Sequence, residues 1–269
     1  MGKKRMILGI FLTAAFLASV GMELRRQMQY RENAADYADA VQIAGLSKIQ
    51  GEKPVETPDA PEASAPLEAD PPPADPAEAL ADVDLDALRA LNADVVGWIA
   101  IPDTEISYPL LQAADNRYYL KHSWKGESNK GGAVFLEASC RSDFSDYHTI
   151  VYGHRMQNGT MFGSLKYYED ISYWREHPSV YVRTDSGVWR YDIFAAHEAS
   201  VKGIVYRLDM EESGLTDEFL TTCLEQSVIE TGIVPEHDAP VLTLSTCTST
   251  GYAKRWVVQA VLGGVYQEE

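Results

Sequence analysis

Two residues able to carry out covalent chemistry follow short apolar segments in the second half of the chain. Cys247 ends the run Val-Leu-Thr-Leu-Ser-Thr-Cys, which begins at Val241, and a polar loop comes directly after it. His154 follows the segment Thr-Ile-Val-Tyr-Gly in the same way. A thiolate is a strong nucleophile, and an imidazole is the usual acid–base group near neutral pH. The two residue types together are the minimum needed for acyl transfer through a thioester.

Arg255 opens the last apolar segment of the chain, eight residues after Cys247. Because the loop between the two residues is short, the segments before and after it are predicted to form a hairpin. Cys247 and Arg255 are then expected at the same end of a β-sheet. A guanidinium in that position can hold a substrate carbonyl or stabilise a developing oxyanion.

Each of these three residues also has a purely structural interpretation. A Cys at the end of an apolar strand can be a buried core residue, and a His or Arg at a loop can be a solvated surface residue. The chain has three Cys in total, too few for a disulfide framework or a four-Cys zinc site. Cys140 and Cys223 match no catalytic pattern, and a pairing between them has no positive support. His148 and His154 do not match a helical His-x-x-x-His ligand pair, so a zinc site is not expected.

Eight short segments rich in β-branched and aromatic residues are predicted as the strands that position these side chains. Their boundaries are Gly97–Ile101, Ile106–Leu111, Ala133–Leu136, Thr149–Tyr152, Ser179–Arg183, Val188–Ala195, Val241–Ser245 and Trp256–Leu262. Helices are predicted at residues 84–91, Asn116–His122, Thr160–Tyr167 and Thr216–Val228. Many short strands interrupted by a few helices favour a mostly β fold, a closed or nearly closed β-barrel.

Residues 1–31 are predicted to be a membrane anchor. Basic residues flank the uncharged run from Met6 to Met22, whose 17 residues span about 26 Å as a helix. This length is at the short end for crossing a bilayer core of about 30 Å. A cleaved signal peptide is the alternative. Either interpretation places most of the chain outside the cytoplasm.

Residues 32–80 are predicted to form a disordered stalk, and residues 81–269 the folded domain. Eight of the 13 prolines lie between Pro54 and Pro76, and large apolar residues are nearly absent there. Such a segment cannot bury enough apolar surface to fold alone. The stalk also holds much of the acidic charge behind the net charge of −17. An acidic chain is a poor candidate for binding nucleic acid.

The sequence motifs around the three candidate residues resemble those of the sortases, and most closely those of class B. Thr243–Cys247 is similar to the sortase signature Thr-Leu-x-Thr-Cys. Tyr152-Gly153-His154 is similar to the catalytic-His segment, with the class B pair Met161-Phe162 nearby, and Arg255 matches the catalytic Arg. Further class B-like segments are residues 115–120, residues 130–136 and the helical insertion at 216–228. The resemblance extends over residues 84–269.

This resemblance implies a sortase-type β-barrel and a single-pass membrane transpeptidase of a Gram-positive bacterium, with its catalytic domain extracellular. Cys247 is then expected to attack the carbonyl after a Thr in the C-terminal sorting signal of a secreted protein. His154 is expected to transfer protons, and Arg255 to stabilise the oxyanion. The residues implied to line the substrate groove are Asn116, Tyr152, Ser245 and Thr246. The resemblance implies no metal and no organic cofactor.

Several alternatives stay open at the level of sequence. The amine that accepts the acyl group can be a peptidoglycan precursor, which gives wall anchoring, or a Lys of a pilin subunit, which gives pilus assembly. A cysteine enzyme of another family is a second alternative. A non-catalytic, stalked wall-binding module is the third, and it requires neither the thiol nor the imidazole.

Overall fold

The computed structural model describes residues 2–46, 75–210, 214–248 and 251–267. Within these ranges, eight strands close into a barrel. The strands are β1 (Val95–Ala100), β2 (Ser107–Leu111), β3 (Val134–Leu136), β4 (His148–Tyr152), β5 (Ser179–Thr184), β6 (Gly187–Ser200), β7 (Val241–Thr248) and β8 (Gly251–Tyr266). The prediction of a mostly β, eight-stranded barrel is confirmed.

The strand order around the barrel is β1-β2-β3-β4-β7-β8-β6-β5. The pairs β2–β3 and β4–β7 are parallel, and the others are antiparallel. Strands β5 and β6 form a hairpin with Asp185 and Ser186 in its turn. Strands β6 and β8 extend several residues beyond their predicted ends because they pair with each other along most of their length.

Five α-helices are present in the described residues: α1 (Gly2–Ile43), α2 (Pro76–Ala81), α3 (Leu85–Arg89), α4 (Ile171–Glu176) and α5 (Thr216–Gln226). Short 3-10 helices cover Tyr118–Leu120, Gly163–Glu169 and Ile204–Tyr206. The helix predicted at residues 116–122 is therefore only one 3-10 turn. The carboxylate of Asp115 accepts hydrogen bonds from the backbone N–H groups of Arg117 and Tyr118. These local bonds favour a turn over a continuing helix.

Two clusters of buried apolar residues stabilise the domain. The larger fills the barrel and includes the fully buried Trp98, Phe162 and Leu244. The smaller lies between the outer face of the barrel and α5, which contributes Phe219 and Cys223. The apolar face of α5 thus packs where its helical periodicity in the sequence predicts.

The N-terminal helix α1 differs from the organisation predicted from sequence. It continues without interruption past residue 31 and ends at Ile43, and residues 33–46 pack against the barrel domain. Tyr37, Ala40 and Ala44 are buried there, with the three- and four-residue spacing of one helix face. Burial of this apolar face stabilises residues 33–46, which the sequence analysis assigned to the disordered stalk.

The ordered domain also begins before the predicted boundary at residue 81. Helix α2 starts at Pro76, and Asp75 caps its N-terminus by accepting a hydrogen bond from Ala77 N–H. Ala77 and Leu80 are buried in the main cluster. Most of the proline-rich part of the predicted stalk, residues 47–74, lies outside the described residues. Among the helices that the structure does describe, none contains a stretch sufficiently long and apolar to cross a membrane.

Candidate active site

Strand register brings the three candidate residues to one end of the barrel. In the parallel pair β4–β7, Tyr152 lies opposite Ser245, so His154 and Cys247 each follow the same rung by two residues. In the antiparallel pair β7–β8, Cys247 lies opposite Arg255. Since β4, β7 and β8 are consecutive around the barrel, the three backbone positions are neighbours. The hairpin expected between Cys247 and Arg255 is present.

The imidazole of His154 is held from one side by the loop that precedes β3. Its Nε2 lies 2.8 Å from the backbone oxygen of Leu120. A carbonyl oxygen can only accept, so Nε2 carries a hydrogen and donates it. This bond fixes the orientation of the ring and keeps a hydrogen on Nε2.

Two glycines allow the chain to pack tightly around His154. A Cβ on Gly132, whose φ is +61°, would lie 2.8 Å from Cδ2 of His154 and 2.5 Å from the oxygen of Tyr119. A Cβ on Gly153 would lie 2.6 Å from the ring of Phe162. The Gly in the Tyr-Gly-His segment is therefore explained by the aromatic side chain that packs under the turn.

A cavity of about 290 Å³ opens at this end of the barrel. The four residues expected to line a substrate groove all contribute to its wall, and so do His154 and Arg255. The four are Asn116, Tyr152, Ser245 and Thr246.

Asn116 and Tyr152 share a buried acidic partner in the cavity wall. Nδ2 of Asn116 donates to Oε1 of Glu137 at 2.5 Å, and the Tyr152 hydroxyl donates to Oε2 at 2.8 Å. Burial raises the pKa of Tyr152, and the charge of Glu137 raises it further. Tyr152 is thus a neutral hydrogen-bond donor at any physiological pH.

Ser245 and Thr246 are nearly inaccessible to solvent, although their atoms form part of the cavity wall. The hydroxyl of Ser245 lies 2.7 Å from that of Tyr206, which belongs to the insertion between β6 and β7. Oγ1 of Thr246 is buried, and no hydrogen-bond partner for it is found within the described ranges.

Sequence reasoning did not identify five of the residues that line the cavity. They are Leu120, Phe135, Gly153, Val201 and Tyr206. Val201 and Tyr206 lie in or beside the β6–β7 insertion, where no motif marks a functional position. Gly153 and Leu120 lie inside two segments that the sequence motifs did mark, Tyr152–His154 and residues 115–120. Membership of those segments was the signal that could have identified them.

A closed eight-stranded barrel in which the backbone positions of a Cys, a His and an Arg meet beside one cavity is typical of a sortase-type cysteine transpeptidase. Residues 99–263, more than half of the chain, match the Sortase domain family model. The chain belongs to the sortase family, and its relatives place it in class B.

Two curated relatives are both named Sortase B. The Listeria monocytogenes protein is 36% identical over 177 residues, which cover 65% of this chain and 72% of the relative. The Staphylococcus aureus protein is 29% identical over 162 residues, which cover 60% of this chain and 66% of the relative. The chain is thus similar to sortase B proteins of two Gram-positive genera.

Solved structures of sortase B agree with the fold. The B. anthracis sortase B in complex with AAEK1 superposes with a TM-score of 0.68 at 30% identity, over 87% of this chain and 98% of that one. The S. aureus sortase B–substrate complex superposes with a TM-score of 0.70 over 89% of this chain and 100% of that one. Its identity of 24% supports the fold alone. The protein is a sortase transpeptidase.

Proposed function

We propose that Cys247 is the nucleophile of this transpeptidase, His154 its acid–base group and Arg255 the residue that stabilises the oxyanion. The observation that carries the assignment is the strand register. Tyr152 pairs with Ser245 and Cys247 pairs with Arg255, so all three backbone positions meet beside one cavity.

The first half of the reaction forms a thioester. The sulfur of Cys247 attacks the backbone carbonyl carbon after a Thr in the sorting signal, and the carbonyl oxygen takes up negative charge. Arg255 stabilises that charge electrostatically. The C–N bond then breaks, and His154 gives a proton to the departing amine.

The second half forms a new amide bond. An incoming amine attacks the thioester carbon, His154 removes its proton, and the C–S bond breaks to regenerate Cys247. Proton transfers in the two halves run in opposite directions through the same imidazole. The overall reaction therefore exchanges one amide for another, with no change of oxidation state.

The other two cysteines are unsuited to this role. Cys140 and Cys223 are free thiols, and both are buried. Burial raises the pKa of each to about 12. The thiolate is the reactive form, so both side chains stay inert near neutral pH. This supports Cys247 as the nucleophile.

The proposed substrate is a C-terminal sorting-signal peptide, and the proposed amine comes from a peptidoglycan precursor. The cavity wall, with Asn116, Tyr152 and His154, provides both apolar contacts and hydrogen-bonding groups for an extended peptide. Wall anchoring of surface proteins follows from this choice of amine. A pilin Lys as acceptor is the competing outcome, and an assay with both amines distinguishes them.

We further propose that residues 1–31 hold the enzyme on the membrane with its catalytic domain outside the cell. The support for the anchor is the uncharged run Met6–Met22, which is flanked by basic residues and has nearly the length needed to cross a bilayer core. Fractionation of cells that express the full chain tests this proposal. Recovery in the membrane fraction after carbonate washing is expected. A soluble product that lacks the N-terminus would instead indicate signal-peptide cleavage.

Intact mass spectrometry tests the proposed chemistry directly. The protein is mixed with a panel of Thr-containing peptides, and a covalent adduct is expected on the wild type and on Cys140→Ala, the matched control. Cys247→Ala should give no adduct. An adduct on Cys247→Ala would show that a residue other than Cys247 is the nucleophile. Binding of wall fragments without any thioester would favour the non-catalytic module.

A further inference from the structure

Glu137 is a buried carboxylate at the edge of the proposed active site. It directly follows β3, and only 8% of the residue is exposed. Its Oε1 accepts from Asn116 Nδ2 at 2.5 Å and from the Ser139 backbone N–H at 3.3 Å. Its Oε2 accepts from the Tyr152 hydroxyl at 2.8 Å. One side chain thus connects two separate parts of the cavity wall.

The position of Glu137 determines the orientation of the Asn116 amide. Oδ1 of Asn116 accepts from the backbone N–H of Ala138 at 2.8 Å, and Nδ2 donates to Glu137. Both ends of the amide are therefore assigned, and among the described residues the second Nδ2 hydrogen has no acceptor and is available to a ligand. That hydrogen can be donated only to an acceptor, such as a peptide carbonyl.

A carboxylate can accept hydrogen bonds from both neighbours at the same time. Asn116 and Tyr152 approach different oxygens of the same group, and each donates a hydrogen. Within the described ranges, Glu137 forms no ion pair with a basic side chain. A buried charge without a cationic partner needs such donors to offset its desolvation. The hydrogen bonds to Glu137 therefore hold the Asn116 amide and the Tyr152 hydroxyl in position.

We propose that Glu137 is a positioning residue for peptide binding, acting through Asn116 and Tyr152. By holding both donors, it leaves the second Nδ2 hydrogen of Asn116 and the remaining lone pairs of the Tyr152 oxygen for the backbone of an extended peptide. The inference rests on the proposed active site, because it assumes that the peptide occupies this cavity. It assigns Glu137 no contact with the reacting atoms.

Replacement of Glu137 separates peptide binding from thiol reactivity. We expect Glu137→Ala to lower kcat/KM by at least about tenfold for the best peptide of the panel, mainly through KM. Alkylation of Cys247 by iodoacetamide needs no peptide, and its rate should stay within about twofold of wild type. Glu137→Gln retains one acceptor and the size of the side chain, so its kcat/KM should lie between those of wild type and Glu137→Ala. Glu176→Ala, at an exposed carboxylate on α4, is the matched control.

A mutant cycle distinguishes positioning from a general structural role. In the background Asn116→Ala/Tyr152→Phe, neither Glu137→Ala nor Glu137→Gln should lower peptide kcat/KM further, because the residues it positions are gone. A full additional loss there would overturn the proposal. Equal losses in peptide turnover and in iodoacetamide alkylation would also overturn it. Peptide turnover at the wild-type rate by both Glu137→Ala and Glu137→Gln would overturn it as well.

Failure of the proposed function has a different signature. If wild-type protein turned over no peptide of the panel and formed no adduct on Cys247, the proposed site itself would be wrong. If wild type were active and the Glu137 variants were equally active, only the positioning role of Glu137 would be rejected.

Discussion

The Nε2 atom of His154 lies 2.8 Å from the backbone oxygen of Leu120 and donates its hydrogen to it. Leu120 lies in a 3-10 turn of the loop between β2 and β3, far from His154 in sequence. The orientation of the proposed acid–base residue is therefore set by a backbone carbonyl from another loop.

Replacing the three proposed catalytic residues should give losses of different size. Cys247→Ala should abolish thioester formation, since the other two thiols are buried. His154→Ala and Arg255→Ala should each lower kcat/KM by at least about 10²-fold. Peptide turnover measured alongside intact mass checks these effects. Near-wild-type turnover by Arg255→Ala would remove that residue from the mechanism.

Gly132→Ala should disturb both the fold and the active site. The added Cβ meets the Tyr119 oxygen and the His154 ring, and the backbone has a positive φ. We expect a loss of about 2–3 kcal/mol in unfolding free energy together with a fall in kcat/KM. Urea unfolding and peptide turnover measure the two effects.

Gly214→Ala is the matched control for this substitution. Its φ of +66° is similar, and no atom of the described residues lies within 4 Å of the added Cβ. It should cost about 1 kcal/mol from backbone strain and leave turnover unchanged. Equal loss of activity in both variants would argue against a specific effect on His154.

Tyr37→Phe should weaken the attachment of α1 to the barrel domain. The Tyr37 hydroxyl, buried, donates to the Gly132 oxygen at 3.1 Å, and loss of that donor leaves a buried carbonyl with one partner fewer. We expect a loss of about 1 kcal/mol in unfolding free energy. Tyr30→Phe, on the same helix, is the control and should have little effect. Identical stability of wild type and Tyr37→Phe would show that this bond contributes nothing.

Buried histidine makes the stability of the domain dependent on pH. His148 is buried, its Nδ1 donates to the Arg207 oxygen and its Nε2 lies 2.8 Å from the Thr243 hydroxyl. Burial lowers the pKa of His148 to about 4. Between about pH 6.5 and pH 4, the unfolded chain therefore binds a proton at this residue that the folded chain does not.

Unfolding free energy should accordingly decrease as the pH falls through this window, by up to about 3 kcal/mol from His148. Burial also lowers the pKa of His197, which adds a contribution of the same sign. Urea titrations at several pH values should show a shallower pH dependence for His148→Gln than for wild type. A slope unchanged in His148→Gln would contradict the assignment.

The strands were predictable because their residue types carry the information locally. Each of the eight strands overlaps its predicted segment, since alternating or continuous β-branched runs end at turn residues. The helix at residues 116–122 was overpredicted because side-chain bonds from Asp115 favour a turn there. The packing of residues 33–46 was missed because three small or aromatic residues, spaced along α1, are a weak signal until a surface is present to cover them.

The sequence by itself predicted the reactive groups: a Cys at a strand end, a His after a tight turn and an Arg opening the last strand. Their motifs also determined the family. Only the tertiary structure decided how these groups are held, through the Leu120 carbonyl, the space left by Gly132 and the Glu137 carboxylate between Asn116 and Tyr152. The physical reason is that a motif records local chemistry, whereas hydrogen bonds and steric contacts between distant segments depend on barrel closure and strand register.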